Sequence, residues 1–253
     1  MELQTWISRR RESLRQLGQL ATRNLTPSIR DFAHAVTTRR GELAVVAELA
    51  RATPEEGRMH RVKDLPELAL ALDAAGVSAI AVATDPIVCE GSTADLQRVS
   101  AAVSIPVIAR DLFLRPEQIY EARLFGADAV LLTAEAVRPD ELLGMMEIAA
   151  SLHMTAAVEV RSEAELSTAL RAAARVLVLP AFSEQGLSFA TADKFLSKVP
   201  RSVTPMVRGP FAGPQDFERL RGQTDAIWIA KPILDAENPQ GFLASLVEAA
   251  ENG

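Results

Sequence analysis

The chain has 253 residues, 48% of them hydrophobic and 24% charged, which suits one globular unit near the usual size of an eight-fold βα barrel. A net charge of −6 excludes the basic footprint of a nucleic-acid binder and a polybasic membrane patch. The single cysteine, Cys89, excludes an internal disulfide and fits a reducing cytoplasm, and no run approaches the roughly 18 consecutive apolar residues of a membrane span.

The first residues, Met1 to Trp6, lack the charged-then-apolar pattern of a secretory signal, so a cytoplasmic protein is expected. Residues 1–40 read as an N-terminal helical extension. Trp6, Ile7, Leu14, Leu17 and Leu20 form an apolar stripe, with Arg9, Arg10, Arg11, Glu12 and Arg15 largely around it. Such a helix either braces the outside or bottom of the domain or closes over a site. Pro27 is expected to open a second helix, capped by Thr26, with Ile29, Phe32 and Val36 on one face.

From residue 41 onward the pattern changes. Short apolar runs occupy Leu43–Ala47, Ser78–Val82, Val107–Ile108, Ala129–Leu132, Ala156–Val160, Val176–Leu179, Val203–Val207 and Ala226–Ile229. Helical patterns alternate with them at Leu65–Ala75, Thr93–Ala102, Pro116–Phe125, Pro139–Leu152, Ser162–Ala173, Thr191–Lys198, Pro214–Leu220 and Pro239–Glu251. Several begin with proline, and Ser92 and Ser162 read as caps. Continuous rather than alternating apolar strands indicate a parallel sheet covered on its outer face. Eight strand–helix units over residues 41–253 predict a (β/α)8 TIM barrel. A doubly wound sheet is the alternative, but no Gly-x-Gly-x-x-Gly follows the first strand and no Walker-type loop is present. The turns at Gly76, Gly126 and Gly222 echo one another, with a weaker copy at Ala173–Val176. This is a structural repeat in which glycine returns the chain from helix to strand.

Two carboxylates stand at the ends of apolar strands, Glu48 and Glu159. A carboxylate there is costly to bury unless it is paired or lies at a mouth, so both are candidate site residues. His34, His60 and His153 lack metal-ligand spacing, so no metal site is expected. Cys89 has no activating base in sequence.

Three blocks resemble the indole-3-glycerol phosphate synthase family. The first is Ala47-Glu48-Leu49-Ala50-Arg51-Ala52-Thr53-Pro54, similar to that family's A-E-I-K-R-x-S-P. The second runs from Thr84-Asp85 through Gly91-Ser92-Thr93-Ala94-Asp95-Leu96 and Pro106-Val107-Ile108-Ala109-Arg110-Asp111 to Gln118-Ile119-Tyr120-Glu121-Ala122-Arg123. The third is Ala157-Val158-Glu159-Val160, followed by Glu163 and Leu166. Arg30-Asp31-Phe32 also resembles the family's segment before its first strand.

The resemblance implies ring closure of a phosphorylated carboxyphenylamino sugar to an indole, with loss of carbon dioxide and water and without a cofactor. It places Glu48 at the first-strand glutamate, Glu159 at the fifth-strand base, and Arg51 and Thr53 at substrate-binding positions of the first loop. The match is uneven. The first-strand lysine is Ala50, and the third-strand lysine, the family's general acid, is Arg110. A guanidinium, with a pKa above about 12, holds an anion well but donates protons poorly. The sixth strand ends in Leu179-Pro180-Ala181-Phe182 in place of an I-N-N-R-like segment. The turns that cradle phosphate in the family hold Pro210 and Pro232, which lack N–H donors. Arg208 and Lys231 are the charges offered in their place, and Phe182 is either an aromatic floor for a ligand or a core residue.

Three readings follow. The first is a diverged enzyme that binds a small anionic aromatic metabolite at the mouth, with Glu48, Glu159 and Arg110 catalytic and Arg51, Thr53, Phe182, Arg208 and Lys231 binding. The second is an inactive barrel serving as a partner subunit of a pathway enzyme. The third is ordinary indole-3-glycerol phosphate synthase activity.

Overall fold

The computed structural model describes residues 2–16, 25–37, 42–54, 57–59, 64–183, 186–211 and 213–251. The first long apolar run becomes strand β1, Ala44–Leu49, and all six of its residues are buried. The other seven runs become β2 (Ala79–Ala83), β3 (Val107–Arg110), β4 (Ala129–Thr133), β5 (Thr155–Glu159), β6 (Val176–Pro180), β7 (Thr204–Arg208) and β8 (Ala226–Ile229). They pair in parallel, each with its neighbours in sequence, and β1 closes on β8 through Ala44↔Ala226 and Ala47↔Ile229. The chain is a closed (β/α)8 barrel.

Its two layers follow from the pleat, since alternate residues of a strand face opposite sides. Ala44, Val46, Ala79, Ala81, Ile108, Leu131, Val178, Met206 and Trp228 fill the barrel interior. Val45, Ala47, Val82, Val107, Val130, Leu177 and Ile227 face the surrounding helices. Ala79 and Ala81 of β2 share this interior with the larger side chains of Met206 and Trp228, all of them fully buried.

The outer helices are α3 (Leu65–Ala74), α4 (Thr93–Ala102), α5 (Pro116–Leu124), α6 (Pro139–Ser151), α7 (Glu163–Arg171), α8 (Phe189–Leu196), α9 (Pro214–Leu220) and α11 (Pro239–Glu251), with the four-residue α10 (Lys231–Leu234) opening the last unit. Ser92 and Ser162 cap α4 and α7 by accepting from Asp95 and Glu165 N–H, each such cap contributing about 1 kcal/mol. The repeated turns take positive φ at Gly76 (89°) and Gly126 (95°), and His153 (56°) and Ala173 (58°) adopt the same left-handed conformation at the ends of α6 and α7. At Gly91 a side chain is excluded for another reason: a Cβ there would lie 2.1 Å from the Ala83 carbonyl oxygen.

The N-terminal extension departs from expectation. Its first helix, α1, spans Leu3–Ser13, and a single 3-10 turn follows at Leu14–Gln16. Pro27 opens no helix and Thr26 caps none. The second helix, α2, is only Phe32–Val36, and its cap is Asp31, which accepts from His34 N–H. Residues 25–30 form no regular element and are held by partners far along the chain: Ser28 N–H donates to the Leu152 carbonyl, and Arg30 pairs with Asp128 at 2.7 Å and donates to Ser100 and Val103. Ile29, expected beside Phe32 and Val36, is 93% exposed. Leu17 and Leu20 lie outside the described residues.

The two helices go to opposite ends of the barrel. Phe32 and Val36 insert into the interior cluster at the N-terminal ends of the strands, where Thr37 also shares a hydrogen bond with Thr204 at 2.7 Å. Helix α1 lies over the C-terminal ends, packing Trp6 and Ile7 against Leu112 and Ala136.

Candidate functional site

The inward register that sets Ala44 and Val46 inside the barrel brings Glu48 inside at the top of β1. The same parity brings Arg110 to the top of β3, Glu159 to the top of β5 and Arg208 to the top of β7. All four are at least nine-tenths buried, and Glu48 is completely so. Arg110 Nη1 lies 3.2 Å from Glu48 Oε1, and Arg208 Nε lies 3.5 Å from Glu48 Oε2. The Trp228 indole N–H donates to Glu48 Oε2 at 2.7 Å. On the other side, Glu159 meets Arg208 Nη1 at 3.5 Å and Arg161 Nη2 at 3.2 Å. Arg208 thus stands between the two carboxylates. Its guanidinium also lies over the rings of Phe182 (5.3 Å) and Trp228 (5.8 Å), contacts worth about 0.5–2 kcal/mol each by their desolvation.

Glu48, Glu159, Arg110, Arg208 and Phe182 therefore come together. Arg51 and Thr53 lie on the loop after β1 with partners of their own. Arg51 donates to both oxygens of Asp95 (2.7 and 3.1 Å), which also accepts from Ser92 and Arg98. Thr53 is buried in a two-residue strand, Ala52–Thr53, paired with Gly57–Arg58. Lys231 begins α10 after β8, half-buried. The first two N–H groups after Pro232, of Ile233 and Leu234, are both turned to the Ala230 carbonyl. His60, Glu55 and Glu56 lie outside the described residues. Among the described residues, no group of three His, Cys, Asp or Glu side chains is placed to hold a metal, and no helix is long and apolar enough to cross a membrane.

Cys89 lies beside this layer, in the loop after β2, with Arg110 Nη1 donating to its Sγ at 3.1 Å. Burial pushes its thiol up to about 12, and the nearby Arg110 guanidinium offsets only part of that. It is a packed thiol rather than a nucleophile.

The residues that close the mouth are ones the sequence reading passed over. Trp6 Nε1 donates to Asp85 Oδ2 at 3.1 Å, and Arg10 donates to both oxygens of Asp111 (3.0 and 2.7 Å) while lying 3.4 Å from Asp85. Burial pushes the Asp111 carboxyl above its ordinary range, with Asp85 adding to the shift and Arg10 opposing it. A signal for Arg10 was present: it stands three residues after Ile7 and four before Leu14, inside the apolar stripe rather than beside it. Beneath Leu3 and Trp6 the space beside Arg110 and Glu159 is about 10 Å³, at most one water's worth. A roomier cleft of about 520 Å³ opens at the other end of the barrel, beside Ile29, Leu143 and His153, away from the charged layer.

Comparison with known proteins decides the family. The family model described as "Indole-3-glycerol phosphate synthase" matches residues 2–246. This chain belongs to the indole-3-glycerol phosphate synthase family. Indole-3-glycerol phosphate synthases from Beutenbergia cavernae and a Parafrankia species are similar to it. The first is 36% identical over 217 residues, covering 85% of this chain and 80% of the relative. The second is 35% identical over 246 residues, covering 96% and 90%. Among solved structures, 3-hexulose-6-phosphate synthase from Salmonella typhimurium superposes with a TM-score of 0.67 at 15% identity, covering 83% of this chain and 99% of that one. Thiamine phosphate pyrophosphorylase from Pyrococcus furiosus gives 0.62 at 17%, covering 84% and 98%. These two likenesses are of fold alone.

Proposed function

We propose that this member of the indole-3-glycerol phosphate synthase family is silent in ring closure and serves as a non-catalytic partner subunit. The observation that carries the reading is the environment of Glu48: fully buried, with Arg110 3.2 Å from Oε1, and with Arg208 at 3.5 Å and the Trp228 N–H at 2.7 Å on Oε2. Ring closure needs an acid that protonates a departing oxygen and a carboxylate free to move a proton. Guanidinium and indole N–H groups are the partners of Glu48, and two guanidiniums are the partners of Glu159. Neither group is a proton donor near neutral pH.

The two buried guanidiniums of the layer are already engaged, Arg110 by Glu48 and Arg208 by Glu48 and Glu159. A diverged enzyme that binds a small anionic aromatic metabolite through Arg110 and Arg208 must first part them from Glu48 and Glu159. Opening a buried pair of this kind costs about 3–5 kcal/mol, comparable with the binding energy of a millimolar ligand. Ordinary indole-3-glycerol phosphate synthase activity is the second reading, favoured by relatives of that name that are 35–36% identical over four-fifths or more of their length.

One experiment separates the readings: a steady-state assay with the phosphorylated carboxyphenylamino sugar, followed by indole fluorescence, with calorimetric titration of the same compound. The expected result is neither turnover nor binding. Turnover at ordinary enzymatic rates overturns the proposal in favour of the second reading. Binding without turnover overturns it in favour of a repurposed site for anionic aromatics.

A further inference from the structure

We propose that the cleft at the N-terminal end of the barrel is a homodimer interface: two copies of this chain meet across a two-fold axis, Ile29 of each entering the cleft of the other and Glu147 of each facing Arg175 of the other. The pairing does not depend on whether the barrel closes an indole ring.

The apolar part of the patch stands on anchored elements. Ile29 is 93% exposed, yet the residues on both sides of it are fixed. Ser28 donates its N–H to the Leu152 carbonyl (2.9 Å) and its hydroxyl to Asp128 (2.7 Å), and Arg30 pairs with the same carboxylate. An aliphatic side chain is thus held out in water without a partner in its own core. Beside it, α6 turns one face to the cleft: Leu143, Met146, Glu147 and Ala150, spaced i, i+3, i+4 and i+7. Leu142, Met145 and Ala149 take the opposite, buried face. Of the four large hydrophobic residues exposed among the described residues, two, Ile29 and Leu143, therefore share one cleft of about 520 Å³. Exposed apolar groups gathered in one place mark an interaction surface, whereas scattered ones do not.

The turns at the edge of the cleft carry a further mark. Gly76, Gly126 and Gly222 take positive φ at other helix-to-strand turns, but here His153 (56°) and Ala173 (58°) do so, and both line the cleft. A side chain in that conformation meets a steric cost that glycine escapes. At these two turns the chain accepts that cost and gains side chains in the cleft wall.

The charges point to a second copy. Glu147 and Arg175 are both exposed, and among the described residues neither side chain has a hydrogen-bond or ion-pair partner in its own chain. Elsewhere on the surface such groups find partners, as Arg138 does in Asp140 and Arg219 in Asp193. The other charges of the cleft are taken, Arg30 by Asp128 and Asp31 by His34 N–H. Charges of one sign alone would call for a partner of the other sign. A carboxylate and a guanidinium waiting on one patch suit a two-fold interface, in which residue i meets j and j meets i. The apolar part has the same property, since the patch holds both the projection, Ile29, and a recess lined by Leu143 and Met146 to receive it.

The test is sedimentation velocity on the full chain from about 1 to about 100 μM, the range in which modest interfaces assemble. The proteins compared are the unaltered chain, Ile29→Lys, Glu147→Arg, Arg175→Glu, and Glu147→Arg combined with Arg175→Glu. The three positions are exposed, and circular dichroism confirms that each variant folds. The expected result is reversible dimerisation of the unaltered chain. Ile29→Lys and each single charge reversal should weaken it at least tenfold, and the double reversal should return it to within about threefold of the unaltered chain, because the swapped charges meet again across the axis. The mass of one chain throughout overturns the proposal and leaves the cleft to a different protein or to a small molecule. A dimer that tolerates Ile29→Lys, or a double reversal no tighter than the single ones, overturns it as well, placing the contact elsewhere on the surface.

Discussion

Trp228 and Glu48 are 180 residues apart in sequence and 2.7 Å apart in space, the indole N–H of one strand donating to the carboxylate of its neighbour across the barrel closure. A hydrogen bond to a buried charge contributes about 1.5–3 kcal/mol. Trp228→Phe keeps most of the ring and removes the donor. Urea unfolding should report a loss of about 2 kcal/mol, and the melting temperature should fall by about 4–8 °C for a chain of this size. In a Glu48→Gln background the same change should cost distinctly less, because the acceptor is no longer charged.

Arg208 bridges Glu48 and Glu159, so its removal strips a partner from both. Arg208→Met should destabilise by about 3–5 kcal/mol. Arg208→Met combined with Glu48→Gln should cost less than the sum of the single changes by about 1 kcal/mol or more, since the second change removes a charge that the first leaves exposed to a dry interior. A double-mutant cycle in urea measures the difference.

Asp95 sets an acid limb. Burial pushes its carboxyl up, but the bonds from Arg51, Ser92 and Arg98 outweigh this and hold it at about 2. An unfolded aspartate titrates near about 3.9, so the folded state binds fewer protons between these values. The stabilisation is fully present above about pH 4 and is lost as pH falls toward 2. Its size is about 1–2 kcal/mol once the partial exposure of Arg51 is allowed for. Arg51→Ala should flatten the stability profile over that window, and urea titrations at pH 2.5, 3.5 and 5 test it.

Cys89 should be inert in the native chain. With its thiol held at about 12 by burial, it carries almost no thiolate at pH 8. Ellman's reagent should titrate no thiol in the native protein and one thiol in 6 M guanidinium chloride. Fast native labelling at pH 8 contradicts the packed environment.

Much of the barrel was legible in the chain itself. Eight apolar runs became eight strands, with no end displaced by more than two residues. Ser92 and Ser162 cap their helices as read, because an N-cap depends on a hydroxyl and an N–H three residues away. The N-terminal extension was read less well. Thr26, Pro27 and Ile29 form a local helix-start pattern, but Leu152, Ser100 and Asp128 hold that stretch out of a helix, and no local pattern contains them.

The candidate site divides along the same line. Strand parity is a local property, so the sequence by itself determined that Glu48, Arg110, Glu159 and Arg208 would end their strands at the mouth. It also determined that no lysine would stand at positions 50 and 110. Whether those four charges would face a ligand or one another depends on strands that meet only when the barrel closes. The tertiary structure decided that Arg208 lies between both glutamates, that Arg51 is taken by Asp95, and that α1 crosses the mouth through Trp6 and Arg10. Side-chain pairing between distant elements follows from closure and packing, and a run of neighbouring residues carries no record of it.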